Sequence, residues 1–172
     1  PMYPMDIALI SAKEAAAASD VRTTIARRWP LAKITFYPSL VQGSEAAAML
    51  IETIKKADQK HHDVILLVRG GGSIEDLWAF NQEALAKCIY DAATPIVTGV
   101  GHETDTTLVD YVSDARAATP TAAAELVTPD IQEVSDQLQR YKKMMADRLK
   151  MLLDRSTHRL DKVKSHPYIK NP

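Results

Sequence analysis

One cysteine in 172 residues leaves no material for a disulfide framework or a cysteine-built zinc site. Cys88 stands inside a helical pattern and reads as a small buried hydrophobe. No apolar run approaches the roughly 20 residues needed to cross a bilayer, so no membrane contact is expected. The expected compartment is the cytoplasm, without a secretory leader. The chain starts at Pro1 rather than methionine and reads as processed or excised from a longer protein. Net charge is nearly absent too, with 21 Lys and Arg against 22 Asp and Glu. That balance conceals an asymmetry, because 10 of the basic but only 5 of the acidic residues lie from Ile131 onward. A basic tail suits nucleic acid or an acidic partner chain, and a solvated helix face explains it about as well.

Glycine is scarce, six in all, yet three are consecutive. Gly70-Gly71-Gly72 follow Arg69 at the end of Val64-Ile65-Leu66-Leu67-Val68, the most apolar short run in the chain. Five leucyl or β-branched residues in a row read as a strand buried on both faces, hence a parallel sheet covered by helices. Glycines at its C-terminal end permit positive φ, close backbone approach and an anion-binding nest of NH groups, to which Arg69 adds a permanently charged fork. The other reading is a tight turn with Arg69 as a surface end-cap. No lysine follows in the Walker position and no GxGxxG is formed, which argues against ATP and dinucleotides.

The 46% apolar content supports a real core. In chain order, Asp6–Ser11 reads as a strand, Lys13–Trp29 as a helix with Val21, Ile25 and Trp29 as its core stripe, and Lys33–Tyr37 as a second strand. A helix opened by Gly43-Ser44-Glu45 leads through His61-His62, read as a solvated connector, to the Val64 strand. Trp78 and Phe80 can stack on a base or seal the core, the latter being the commoner use. A helix over about Asn81–Tyr90 precedes the strand Ile96–Val100. The expected fold is α/β, an open and mostly parallel sheet of about four strands covered by helices. From Ile131, the apolar residues Val134, Leu138, Tyr141, Met145, Leu149 and Leu152 alternate at spacings of three and four, which predicts a coiled-coil-like helix ending near Ser165. The expected division is an α/β catalytic domain over 1–129, a long basic helix over 130–166 and a truncated tail over 167–172.

Gly101-His102-Glu103-Thr104-Asp105 ends the strand after the glycine loop, so adjacent parallel strands would set the two loops side by side. Histidine exchanges protons near neutral pH, and on a helical first turn Asp105 would orient the His102 ring. Alternatively His102 simply opens a helix whose dipole Glu103 and Asp105 favour. Asp20 is either a solvent carboxylate or, if its helix begins only near Ser19, a group at the upper rim of the sheet. Ser73 can cap a helix turn, Thr119 and Thr121 can cap the next helix or meet a phosphate, and Arg116 would make a second backbone clamp.

Together, Arg69-Gly-Gly-Gly-Ser-Ile-Glu-Asp-Leu-Trp-Ala-Phe-Asn81, Gly101–Asp105 and Ala118-Thr-Pro-Thr-Ala-Ala-Ala-Glu125 closely resemble the large subunit of bacterial exodeoxyribonuclease VII. The resemblance runs from Ile7 to about Pro129, and the basic helix resembles the start of that family's coiled region. It implies an exonuclease that cuts single-stranded DNA from its ends into oligonucleotides, binds several copies of a small helical subunit, and does not strictly need divalent metal, with Mg2+ as a stimulant at most. It assigns the catalytic histidine and aspartate to His102 and Asp105, the phosphate-contacting arginine to Arg69, and a further important aspartate to Asp20. Two departures stand out. The family's N-terminal OB-type domain and far C-terminal region are missing, and Ser11-Ala12-Lys13-Glu14-Ala15 replaces the usual threonine and glycine after the first strand.

The expected chemistry is phosphodiester hydrolysis. Arg69, the Gly70–Gly72 amides and Ser73 would hold the phosphate, His102 would act as base or acid, and Asp105 would orient it. Three rivals stand beside it. One is a Mg2+-dependent phosphoesterase with Asp20, Glu103 and Asp105 as ligands. Another is a non-catalytic phosphate-binding assembly module, and the last is an enzyme on a sugar phosphate or nucleotide. Self-association along the long helix is a further expectation.

Overall fold

The computed structural model describes residues 1–71, 74–101 and 105–166, the first three of the middle segment as backbone only. Pro1 to Ile131 forms one compact unit and a second begins at Gln132. The first is built on five parallel strands: β1 (Asp6–Ser11), β2 (Lys33–Pro38), β3 (Val64–Val68), β4 (Ile96–Gly99) and β5 (Ala115–Arg116), in spatial order β2-β1-β3-β4-β5. The fifth strand exceeds the expected four; its two residues were too few to carry a periodic signal.

The period-2 alternation of a strand divides the core in two. Ala8 and Ile10 of β1, with Ile65 and Leu67 of β3, face helices α2 (Ala46–Asp58), α3 (Glu83–Tyr90) and α4 (Leu108–Val112). Ile7 and Leu9, with Val64, Leu66 and Val68, face α1 (Ala16–Arg28) and α5 (Pro120–Val127). The connection β1-α1-β2 runs one way along the sheet and the later connections run the other way with their helices on the opposite face, as a constant crossover hand requires. The stripe Val21, Ile25 and Trp29 is buried as its spacing predicts. Helix α1 starts at Ala16, after a turn containing Lys13 and Glu14.

Gly99 closes β4 against α5. A Cβ there would lie 2.9 Å from Ala123 Cβ and 3.0 Å from the Thr119 carbonyl, so only glycine lets the helix sit this close. Thr119 caps α5, its Oγ1 accepting from the Ala122 amide at 3.0 Å, and Pro120 occupies the first turn.

At the opposite end of the sheet, aspartates hold the strand starts. Asp63 accepts from the Met5 and Asp6 amides at 2.7 and 2.9 Å, Asp58 from Ala93 and Thr94 at 3.3 and 2.7 Å, and Asp114 from Ile96 at 2.8 Å. The pair His61-His62 is not a solvated connector throughout. His61 is exposed, but His62 is buried, with Nε2 2.8 Å from the Tyr37 hydroxyl and Nδ1 2.9 Å from Asp6 Oδ1. Helix α6 (Ile131–Lys164), described by itself, has 34 residues, none of them buried. At ~1.5 Å per residue it is about 50 Å long, and its seam of Leu138, Tyr141, Met145, Leu149 and Leu152 is exposed.

Two outcomes follow for stability. Gly99→Ala should cost about 1–3 kcal/mol through overpacking against α5, read as a lower urea midpoint at unchanged slope. The amides of Asp6 and Met5 hold the Asp63 carboxyl below the ordinary aspartate range, against the opposing effect of partial burial. Its stabilisation is therefore complete above an ordinary aspartate pKa of about 4 and is lost as pH falls through the lower folded value. Asp63→Asn should lower the melting temperature at neutral pH, and the two proteins should converge in acid.

Candidate active site

β3 is buried along its whole length, so its first polar side chain emerges only at the end, at Arg69. That residue is 4 % exposed, which excludes the surface end-cap. Its amide donates to the Gly99 carbonyl at 3.2 Å, extending the β3–β4 pairing in which Val68 stands opposite Gly99. The glycine loop and the 101–105 loop thus leave neighbouring strands at the same level, as the sequence suggests.

The winding of the sheet reverses between β1 and β3, the position at which open α/β sheets hold their ligands beyond the strand ends. A crevice of about 430 Å³ opens there. Arg69, Gly70 and Gly71 form one side, Ala12, Glu14 and Ala15 of the β1–α1 loop with Ala16 and Ala17 of α1 another, and Leu40 to Gln42 after β2 a third. Gly70 and Gly71 do not use positive φ, contrary to the conformational argument from sequence; Gly43, at φ 90°, is the positive-φ glycine among the described residues. A Cβ on Gly70 would meet Ala17 Cβ at an ordinary 3.5 Å, and one on Gly71 would meet nothing within 4 Å. Glycine here leaves the crevice open and its backbone bare. Gly72 and Ser73, the rest of the expected phosphate cradle, lie outside the described residues.

So do His102 and Glu103. Their flanks are described: Gly101 backs onto Asp105 so closely that a Cβ would collide with the Asp105 carbonyl oxygen. Asp105 is half-buried and lies in irregular backbone before α4, not on a helical first turn. The end of this loop is fixed by the preceding motif, since Asn81 Oδ1 accepts from the Leu108 amide at 2.8 Å. Asn81 terminates the 3-10 helix Ile74–Asn81 that follows the glycine loop.

Asp20 is placed differently. With α1 beginning at Ala16, it sits in the second turn, exposed, one turn beyond the Ala17 that touches the Gly70 position, and it is not among the residues lining the crevice. Arg116, in β5 beside the His102 strand, has Nε 3.6 Å from Asp110 Oδ2. Sequence reasoning missed Asp110. Its carboxylate is buried and accepts from Thr98 Oγ1 at 2.6 Å, from the Thr107 amide at 2.9 Å and from Thr107 Oγ1 at 2.8 Å. Opposite Arg116, this network ties β4, β5 and the start of α4 together. The signal was present as Thr107-Leu108-Val109-Asp110, the spacing of a capping box. Among the described residues no group of three His, Cys, Asp or Glu is arranged to hold a metal ion.

A parallel sheet in this order, with a buried arginine and bare glycines at its switch point, defines an open α/β domain with a crevice beyond its strand ends. The sequence profile of the family described as "Exonuclease VII, large subunit" matches residues 1–172. A protein of Oceanobacillus iheyensis named exodeoxyribonuclease 7 large subunit is 48% identical over 153 residues, covering 89% of this chain and 34% of that protein. One of the same name from Listeria innocua is 41% identical over 173 residues, covering 100% and 38% respectively. A solution structure of a phosphate-loop protein aligns over 63% of this chain and 85% of its own, with a TM-score of 0.37 and 12% identity, too distant a likeness to carry an argument. The chain belongs to the exonuclease VII large-subunit family. It spans about a third to two-fifths of the length of these two relatives.

If Gly71 is glycine to leave the crevice open, Gly71→Val should change folding stability by less than about 0.5 kcal/mol while weakening binding of pyrophosphate, measured by titration calorimetry. A large loss of stability with unchanged binding would contradict this role.

Proposed function

We propose that this chain is the catalytic portion of an exonuclease that hydrolyses phosphodiester bonds of single-stranded DNA from the ends, releasing oligonucleotides. The observation that carries the reading is the switch-point crevice bordered by Arg69, Gly70 and Gly71, in a chain whose relatives bear the name of such an enzyme. Arg69 and the amides that follow it, with Ser73, hold the non-bridging oxygens and stabilise the charge that grows on five-coordinate phosphorus. Water attacks phosphorus, the bond to the leaving oxygen breaks, and His102 either takes the proton from water or supplies one to the leaving oxygen. Asp105 orients that ring. Arg116, steadied by Asp110, clamps a neighbouring phosphate, and Asp20, exposed outside the crevice, takes no step. The reaction has no strict need of a metal, and Mg2+ acts at most as a stimulant.

The exposed seam of α6 supports a second part of the proposal, that several copies of a small helical subunit dock on it, with pairing of large subunits as the competing use. No helix of the described residues is long and apolar enough to cross a membrane, and we place the protein in the cytoplasm.

The test is hydrolysis of end-labelled single-stranded and duplex DNA by the chain, alone and with the small subunit, in EDTA. Short oligonucleotides should appear from single strands only. Arg69→Ala should lower the rate by about a hundredfold or more, the scale of losing a charge-stabilising donor, and His102→Ala should abolish it. A folded His102→Ala protein with full activity would sink the scheme, and complete loss of activity in EDTA would favour the reading with carboxylate-held Mg2+.

A further inference from the structure

We infer that Trp78 is a stacking platform for a nucleobase of the strand whose phosphate lies in the Arg69 crevice. This inference rests on the nuclease reading above.

The residue lies in the 3-10 helix, where side chains three apart share a side. Leu77 and Phe80 point inward and are buried, whereas Trp78 and Asn81 point outward, and Trp78 is 72 % exposed. The two aromatic residues paired by the sequence therefore part company: Phe80 seals the core and Trp78 does not. The packing of the domain gains little from an indole left in water, although burying one is among the larger apolar gains available to a fold.

What lies beside it suits a flat ring. Trp78 forms one wall of a groove of about 430 Å³ whose other lining includes Gly43, Ser44, Ala47 and Ala48 at the start of α2. Most of the lining side chains are small, Ile51 and Gln82 being the larger ones beside Trp78, and the described lining of the groove carries no charged group. The groove also adjoins the anion crevice, because Gln42 lines the crevice and Gly43, the next residue, lines the groove. An arginine that meets a phosphate, with an aromatic surface next to it, is how single strands are held without sequence preference: the backbone is neutralised and a base stacks. A duplex has no unstacked base to offer. The position would thus contribute to a preference for single strands that no patterned groove in the sequence announces. Tyr90, 76 % exposed, offers a contrast, because it ends α3, the helix leading from the 3-10 segment toward the start of β4, away from the crevice.

The experiment measures binding by fluorescence polarisation to a labelled oligothymidylate and to an abasic oligomer with the same number of phosphates, in the His102→Ala background to prevent turnover. Stacking contributes ~1–3 kcal/mol per base, so Trp78→Ala should weaken the thymidylate complex by about 5- to 150-fold. It should leave the abasic complex unchanged, Trp78→Tyr should recover most of the affinity, and Tyr90→Ala should alter neither complex. Indole emission gives an independent readout that needs no substitution at Trp78. Trp29 is buried with its ring N–H bonded to the Pro4 carbonyl at 2.8 Å, so a change on adding thymidylate but not the abasic strand reports Trp78. Equal affinity of the Trp78→Ala protein for thymidylate, or equal losses on both strands, would overturn the platform. If Arg69→Ala weakens both strands while Trp78→Ala weakens neither, the phosphate site stands, stacking falls, and a protein partner becomes the remaining occupant of the indole. If the protein binds neither strand, the nuclease reading fails and the platform with it.

Discussion

Burial of β3 on both faces is the constraint from which the rest follows. A strand whose five side chains all lie in the core must be covered by helices on either side, and so cannot present a functional group along its length. Chemistry is left only the strand ends. Because successive strands are parallel, their carboxyl ends fall on one side of the sheet, and the reversal of winding between β1 and β3 separates the loops that would otherwise crowd there. Arg69 is the first residue released from the buried run, and its amide still completes the pairing with β4. One geometric condition thus positions the crevice beside Arg69 and brings the end of β4 next to it.

Polar contacts add to the apolar packing of Val100 and Val109 around the 101–105 loop. Asn81 holds the start of α4, and Asp110 gathers Thr98, Thr107 and Arg116 around a buried carboxylate. A buried carboxylate is tolerated because its oxygens are met by several donors and a nearby guanidinium, and removing one partner would leave the others exposed to the cost of an unsatisfied charge. Fixing a loop at its flanks lowers the number of arrangements open to it.

The sheet was legible because β3 and β1 are uninterrupted apolar runs and the helices between them repeat at helical spacing. β5 was not, since two residues have no period. The strand-end loops were legible through Arg69, the glycines and the GHETD run, but the reason for the glycines was misjudged: Gly70 and Gly71 have ordinary φ, and their value lies in what a side chain would obstruct. The position of Asp20 turned on where α1 begins, a boundary that alanines on both sides of it could not mark. Trp78 was indistinguishable from Phe80 in the sequence, because a 3-10 segment separates neighbours that a helical wheel would group differently. Asp110 was hidden by its ordinary role as a capping residue, its further partners coming from β4 and β5, distant in the chain.

The aspartates that fasten the strand starts divide the two ends of the sheet between different tasks. Asp58, Asp63 and Asp114 gather at one end of the sheet, and the buried guanidinium of Arg69 stands at the other. Each of these carboxylates accepts from main-chain amides at or just before a strand start, so side chains anchor the strands at that end. Anchorage and opening thus sit at opposite ends of the sheet, so the residues around the crevice can differ without loosening what fastens the strands.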